Sequence, residues 1–295
     1  MRCAAAVLAL LCALSFAPHR AAAKKRGRAP REVPELTKDG LPNIQSQSAL
    51  VWDLDAGAEL YSKNPTEVRA IASVGKLFLA LVLLDRKLDL DGVTKITEED
   101  ARLSVGGARS RLTVGKSFQN IDLLRAMLIS SDNRACTALG RAVGLSPPEL
   151  VGALNRKARS LGLGRTRFVD ATGLGANVST AREVLTGLMA ALAIPLLADI
   201  LTTKQVTIQS TDGRVTIDYV STDVALRAGR YTVLGGKTGF TDDAKYCLAI
   251  AARVGDRRVG MVFLGADGKL TRFGDFNRTA SWLLAGGGAK KTAAR

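Results

Sequence analysis

Apolar residues run almost unbroken through Cys3–Ala17, with only Ser15 polar, and beyond that they fall into two rhythms. Ser48–Leu54 and Glu59–Ser62 flank Asp55-Ala56-Gly57, the pattern of two strands joined by a turn. From Ser73 onward Leu77, Leu81 and Leu84 recur at helical spacing with little polarity between them, which predicts a buried helix. Ile121–Ile129 predicts a second helix, which Ser131-Asp132-Asn133 interrupts before helical character resumes through Leu139 and Val143 to Gly144. Pro147–Leu161 and Thr180–Leu192 read as further helices, the latter with Ser179 or Thr180 as its N-cap. Gln205–Gln209 and Arg214–Val220 read as strands. Tyr231–Gly235, Lys245–Val254 and Arg257–Leu264 do too, with Gly255-Asp256 as a hairpin turn, and Arg272–Leu284 closes the chain as a helix. Strands at both ends with helices between predict an α/β fold. An antiparallel sheet is built from both termini, and a largely helical lobe is inserted in the middle.

The ends divide the chain. Met1-Arg2, the apolar run, Pro18-His19-Arg20 and Ala21-Ala22-Ala23 together form the pattern of a secretory signal peptide over residues 1–23. The run is shorter than the ~20 apolar residues a membrane span needs, although an uncleaved anchor is the alternative. Cys12 lacks the preceding small residue of a lipoprotein site. Lys24, Lys25, Arg26, Arg28 and Arg31, around Pro30 and Pro34, make residues 24–43 a basic disordered linker, with a wall-tethering arm as the alternative. Residues 44–286 form the domain, and 287–295 a basic disordered tail. The expected destination is the periplasm or beyond, with no transmembrane segment once the signal is removed.

Charge and composition narrow the function classes. The net charge is +15, of which only Arg2 and Arg20 leave with the signal. Such a charge favours anionic partners. For an exported protein these are cell-wall peptides, wall polymers or membrane surfaces rather than nucleic acid. The only histidine is His19, inside the signal, so a Ser-His-Asp triad is excluded from the mature chain. Cys136 and Cys247 remain after cleavage, both in apolar surroundings. They read as buried thiols, with a bridge between them left open. No metal-ligand spacing is visible, and no cofactor is expected.

Three short motifs carry the chemistry: Ser73-Val74-Gly75-Lys76, Ser131-Asp132-Asn133 and Lys237-Thr238-Gly239. Ser73 and Lys76 stand three residues apart on one helical face, so the amine can reach the hydroxyl. Without a histidine, lysine is the natural base for a serine nucleophile. Burial and neighbouring positive charge favour its neutral form. The start of the helix offers the Ser73 N–H as an oxyanion donor. Gly235-Gly236 before Lys237 allow a peptide backbone to approach the strand, and Lys237 adds a fixed charge.

The ordered set resembles the low-molecular-mass penicillin-binding proteins, the D-alanyl-D-alanine carboxypeptidases and endopeptidases. The likeness extends over residues 44–285. It includes Ile71-Ala72-Ser73, Thr166–Leu174, Val178–Arg182 and Gly236–Thr241. Met127–Ala135, with Ser130-Ser131-Asp132-Asn133-Arg134-Ala135, is similar to the endopeptidase branch. The resemblance implies the β-lactamase/penicillin-binding-protein transpeptidase fold, with a five-stranded sheet. It further implies a serine peptidase acting on peptidoglycan stem peptides and inhibited covalently by β-lactam antibiotics. In that reading Ser73 is acylated, Lys76 accepts its proton, and Ser131 relays a proton to the leaving amine. Asn133 and Lys237 orient substrate and Lys76, and Thr238 binds the leaving-group side. Gly239 permits close approach, and the N–H groups of Ser73 and Phe240 form the oxyanion hole.

The chain after Gly239 has room for two strands and a helix, which favours the shorter endopeptidase type. Against this, Arg272-Phe273-Gly274-Asp275 is similar to a carboxypeptidase pattern whose arginine holds the substrate's terminal carboxylate. A surface position for Arg272 is the alternative. Two other classes remain. A class A-like β-lactamase needs a deacylating glutamate, and Glu149-Leu150-Val151-Gly152-Ala153-Leu154-Asn155 has the wrong spacing for it. A non-enzymatic cell-wall-binding protein would not need Ser73, Lys76, Ser131, Asn133 and Lys237 all intact.

Overall fold

The computed structural model describes residues 33–288, so the expected signal peptide, residues 24–32 of the expected linker and residues 289–295 of the tail lie outside the described residues. Strands β1 (Ser48–Asp53) and β2 (Ala58–Lys63) form the expected hairpin, and Gly57 at φ 61° makes its turn. The two-residue strand β3 (Arg69–Ala70) leads to a 3-10 turn at Ala72–Gly75 and then to α1 (Lys76–Asp85). The helical lobe follows. It comprises β4 (Val93–Lys95), α2 (Glu98–Leu103), β5 (Ser117–Gln119), α3 (Asn120–Ile129), α4 (Arg134–Ala142) and α5 (Pro147–Ser160). Next come β6 (Val178–Ser179), α6 (Ala181–Leu192), α7 (Pro195–Thr202), the hairpin β7 (Gln205–Gln209) and β8 (Thr216–Val220), and α8 (Val224–Ala228). The chain closes with β9 (Thr232–Thr241), β10 (Lys245–Val254), β11 (Arg257–Ala266) and α9 (Thr271–Leu284).

The main sheet has five strands in the order β2-β1-β11-β10-β9, every neighbour antiparallel. Register explains why both ends of the chain are needed. Ser48 pairs with Leu264 and Trp52 with Gly260, so β1 completes a sheet whose other strands come from the C-terminal end. Cys247–Ala252 is buried on both faces, which is why it reads as a continuous apolar run rather than an alternation. Cys247, Ala249 and Ala251 face the core shared with α6 and the 3-10 turn, whereas Leu248, Ile250 and Ala252 meet Phe273, Phe276 and Ala280 of α9. Behind the first face, α1 is buried all round from Lys76 to Leu83. Gly187 of α6 makes room for the Phe78 ring.

Two boundaries differ from the sequence reading. Pro34–Asn43, placed in the disordered linker, belong to the same compact unit as the rest of the domain. Leu36 bridges Pro42, Asn43 N donates to Glu35 O at 3.0 Å, and Arg278 Nε donates to Asn43 O at 2.9 Å. The turn at Gly40 closes this flap, a local feature that the neighbouring charge run masks. At the other end Gly287, placed in the tail, still donates to Trp282 O at 2.9 Å.

Candidate active site

The site is built where α1 begins, where α3 gives way to α4, and along the outer edge of β9. Ser73 lies in the 3-10 turn and Lys76 opens the helix proper. Ala72 adopts φ 48°, a left-handed conformation that is costly for a residue with a Cβ, and this kink turns Ser73 toward β9. Gly239 accepts the close approach: a Cβ there would stand 2.9 Å from Ile71 O and 3.1 Å from Ser73 N. On the other side, Gly173 at φ 84° packs against the same turn, and a Cβ on it would lie 2.6 Å from Ala72 O and 2.8 Å from Ser73 N. Thr172 O lies 3.5 Å from Ser73 Oγ.

Lys76 is fully buried, and its Nζ is the hub of the site. It donates to Ser73 Oγ at 2.9 Å, Ser131 Oγ at 3.0 Å, Ser131 O at 2.9 Å and Asn133 Oδ1 at 2.5 Å. Ser131 can reach it because φ 63° breaks the helix between Ile129 and Arg134. That break is held by Asp132. Its carboxylate accepts from Ser110 Oγ at 2.7 Å, from Tyr219 OH at 2.8 Å and from Arg134 N at 3.1 Å. Asn133 occupies the N-cap position of α4, where its side chain would ordinarily cap the helix, yet makes no cap bond and serves Lys76 instead.

On β9, Lys237 is 1% exposed and donates to Thr238 O at 3.0 Å. Thr238 Oγ1 pairs with Thr222 Oγ1 at 2.6 Å. Phe240 is 46% exposed and stacks on Tyr246 at 4.3 Å. Arg272 is not the surface residue of the alternative reading. It is 5% exposed, and Nη1 donates to Gly239 O at 2.8 Å, so it backs the strand edge that Lys237 and Gly239 present.

Burial pushes the Lys76 ammonium below its usual range, against the smaller opposing effects of Cys136, Asp132 and Asp170. Burial pushes Lys237 well below its usual range as well, and the nearby Lys76 charge adds to it. Cys136, one turn beyond Asn133, and Cys247 on β10 are both free and buried, and burial raises each thiol to about 11. They form no bridge. The β-lactamase alternative also loses its glutamate. Glu149 closes the capping box of α5 with Ser146, and Glu183 binds Arg165 N and Thr166 Oγ1. Asp170, the acid of the loop behind Ser73, is consumed by the amides of Thr172, Gly173, Leu174 and Gly175.

All nine residues singled out from the sequence therefore lie on the elements that meet at this cleft. The reading missed several supports. Gly107 packs its backbone against the Asn133 amide, where a Cβ would overlap Nδ2. Its only local signal is the Gly106-Gly107 pair in a polar stretch. Thr172, Gly173 and Thr222 were in plain view without a partner to reveal them. Gly173→Ala combines a left-handed backbone with contact against Ser73's own peptide. It is expected to cost about 2–3 kcal/mol and to slow acylation strongly. Thermal melting and β-lactam labelling rates measured side by side check both effects.

A serine hydroxyl and a buried lysine amine in direct contact, with a second hydroxyl on the same amine and a glycine-lined strand edge beside them, define a serine acyl enzyme that uses lysine in place of histidine. A family model described as D-alanyl-D-alanine carboxypeptidase matches residues 35–268, and the chain belongs to that family, serine-type peptidases acting on D-alanyl-D-alanine bonds of peptidoglycan. It is 38% identical over 253 residues to a D-alanyl-D-alanine endopeptidase of Pseudomonas aeruginosa, covering 84% of this chain and 81% of that one. It is 34% identical over 280 residues to a D-alanyl-D-alanine endopeptidase of Escherichia coli, covering 95% of this chain and 87% of that one. Among solved structures it is similar to the Streptomyces K15 DD-transpeptidase, with a TM-score of 0.77 and 26% identity over 83% of this chain and 98% of that one.

Proposed function

We propose that this protein is an exported D-alanyl endopeptidase that opens the cross-links between peptidoglycan stem peptides through an acyl-enzyme on Ser73, and that β-lactams acylate the same serine. The observation that carries the chemistry is the Lys76 amine standing 2.9 Å from Ser73 Oγ and 3.0 Å from Ser131 Oγ. When neutral, Lys76 accepts the Ser73 proton as Oγ attacks the D-alanyl carbonyl. Ser131 Oγ then passes a proton to the departing amine, and Lys76 reprotonates it. The N–H groups of Ser73 and Phe240 receive the developing oxyanion. Asn133 and Lys237 orient the substrate, Thr238 holds the leaving-group side, and water hydrolyses the ester with Lys76 again as base. Cross-link cleavage is favoured by the likeness to two endopeptidases over most of their length. Export rests on the signal-like pattern of residues 1–23.

A carboxypeptidase is the second reading, and Arg272 favours it. Its buried guanidinium stands behind Gly239 with Nε unpartnered, where it adds positive charge to the edge that would receive a terminal carboxylate. Incubation with a pentapeptide monomer and with a cross-linked dimer, products identified by mass spectrometry, tests the choice. The expected result is rapid cleavage of the dimer with slower release of terminal D-alanine. Arg272→Ala is expected to depress terminal release more than cross-link cleavage. Ready trimming of the monomer with the dimer left intact replaces the endopeptidase reading by the carboxypeptidase one.

A further inference from the structure

Phe240 follows Gly239 directly on β9 and presents nearly half of its surface to solvent. A lone exposed apolar side chain is ordinary in a folded protein, but this one is held. The register sets Phe240 opposite Tyr246, and the two rings stack at 4.3 Å with 27° between their planes. Tyr246 in turn meets a fixed cation. The Arg272 guanidinium carbon lies 5.1 Å from its ring centre, and Nη1 of the same guanidinium donates to Gly239 O at 2.8 Å. Phe240 is thus an open ring on a buried support. A ring held in this way has little conformational freedom left to lose when something packs on it. Ala266 pairs with Tyr246, and a few residues on Leu270, 64% exposed, stands at the start of α9 as a second apolar group beyond that end of the sheet.

Alternation along β9 puts Phe240 on the same face as Thr238, with Lys237 and Gly239 on the other. β9 is an end strand of the sheet, so a peptide laid along its outer edge can meet side chains of both faces. Thr238 holds the leaving-group side in the reading above, and Phe240 is the next residue on that face, about 7 Å further along the strand. The two candidate leaving groups differ in what they bring there. Terminal D-alanine is compact and ends in a carboxylate, so it has little apolar surface to lay on a ring. The departing half of a cross-link is a second stem peptide, whose freed amine ends an aliphatic side chain. We infer that the Phe240 ring, backed by Tyr246, is the subsite that receives the aliphatic part of the departing stem peptide, and that it selects cross-links over terminal D-alanine. The inference rests on the endopeptidase reading and names a specificity determinant for it. Its pull is burial of apolar surface, which adds to the charge supplied by Lys237 and Arg272 and does not depend on it.

Phe240→Ala removes the ring, Phe240→Gln replaces it by a polar chain of similar reach, and Phe240→Tyr keeps a ring that can stack. Each is assayed for kcat and KM on a cross-linked stem-peptide dimer and on a pentapeptide monomer, with thermal melting to establish folding. The acylation rate with a penicillin is the reference for the oxyanion hole, to which the N–H of the same residue belongs. In Phe240→Ala and Phe240→Gln the KM for the dimer should rise by about three- to tenfold beyond any loss shared with the monomer and the penicillin, and Phe240→Tyr should restore it. The free second stem peptide, added as a product inhibitor, should bind the two ringless variants more weakly by the same factor. A loss of equal size on dimer, monomer and penicillin overturns the inference, because it reports the oxyanion hole and not a subsite. So does a dimer KM that stays at the wild-type value in both ringless variants. The wild type separates the two failures. If it trims the monomer and leaves the dimer uncut, the endopeptidase reading falls and the inference with it. If it cuts the dimer and the losses in the variants are equal, the inference alone falls.

Discussion

Ser73→Ala should fold as the wild type does and take no covalent label from a fluorescent penicillin, with D-alanyl cleavage reduced by about 10⁴- to 10⁶-fold. The fold is insensitive because the change removes one hydroxyl, and the helix entry is held by other groups: Ile71 N on Asn177 O at 3.1 Å, and Gly173 and Gly239 packed on the turn. The chemistry is sensitive because, among the described residues, no second nucleophile stands in the same place. Ser131 is the rival, since its Oγ is 3.0 Å from the same amine. It sits on the helical-lobe wall, however, whereas the backbone N of Ser73 is set against the Gly239 edge of β9. The two serines are therefore told apart by experiment. Ser131→Ala should still label, more slowly, because it loses a proton relay and not the attacking oxygen. A folded Ser73→Ala that still forms the adduct would transfer the nucleophile to Ser131.

Much of this arrangement was legible from local pattern. Gln205–Gln209 has the bounds the sequence gives it, and β10 and β11 follow from an apolar run and a Gly-Asp turn. The pairing of β1 with β11 follows once strands are seen at both ends of the chain. Other elements hid for physical reasons. Helix α2 carries its own signal, a Thr97-x-x-Asp100 capping box, but its charged sequence has no apolar face to set a period. Helix α7, Pro195–Thr202, was not read as a helix, because its eight residues are too few to set a period. The role of Asp132 was hidden by distance. The motif names it beside Ser131 and Asn133, yet its carboxylate faces away from Lys76, toward Ser110 and Tyr219. Local periodicity cannot report a hydrogen bond across 87 residues. Arg272 illustrates the same limit, since its place at a helix start reads as exposed until the packing of α9 on the sheet is known.

Lys76→Arg should be nearly inactive, with acylation lower by about 10³-fold or more, and the wild-type rate should rise with pH where the variant's does not. The argument turns on which form of the amine is needed. As an ammonium, Lys76 donates to Ser73 Oγ, Ser131 Oγ and Asn133 Oδ1, which holds the serine in place but cannot take its proton. As a neutral amine it offers a lone pair to the same hydroxyl. Burial lowers its pKa, so the neutral form is populated at a lower pH than for a lysine in water, and acylation climbs as pH passes through that value. Lys237 is lowered by burial too, so it loses its charge as pH rises and substrate binding weakens, which opposes the gain and gives kcat/KM a descending limb. Arginine keeps the charge and the donors but does not deprotonate in a protein. It preserves an electrostatic role for position 76 and removes a proton-accepting one. Stopped-flow acylation across pH, with circular dichroism to establish that the variant is folded, reads the difference. A folded Lys76→Arg protein that acylates within about tenfold of the wild type would mean that Lys76 acts by charge alone and that the Ser73 proton leaves by another route.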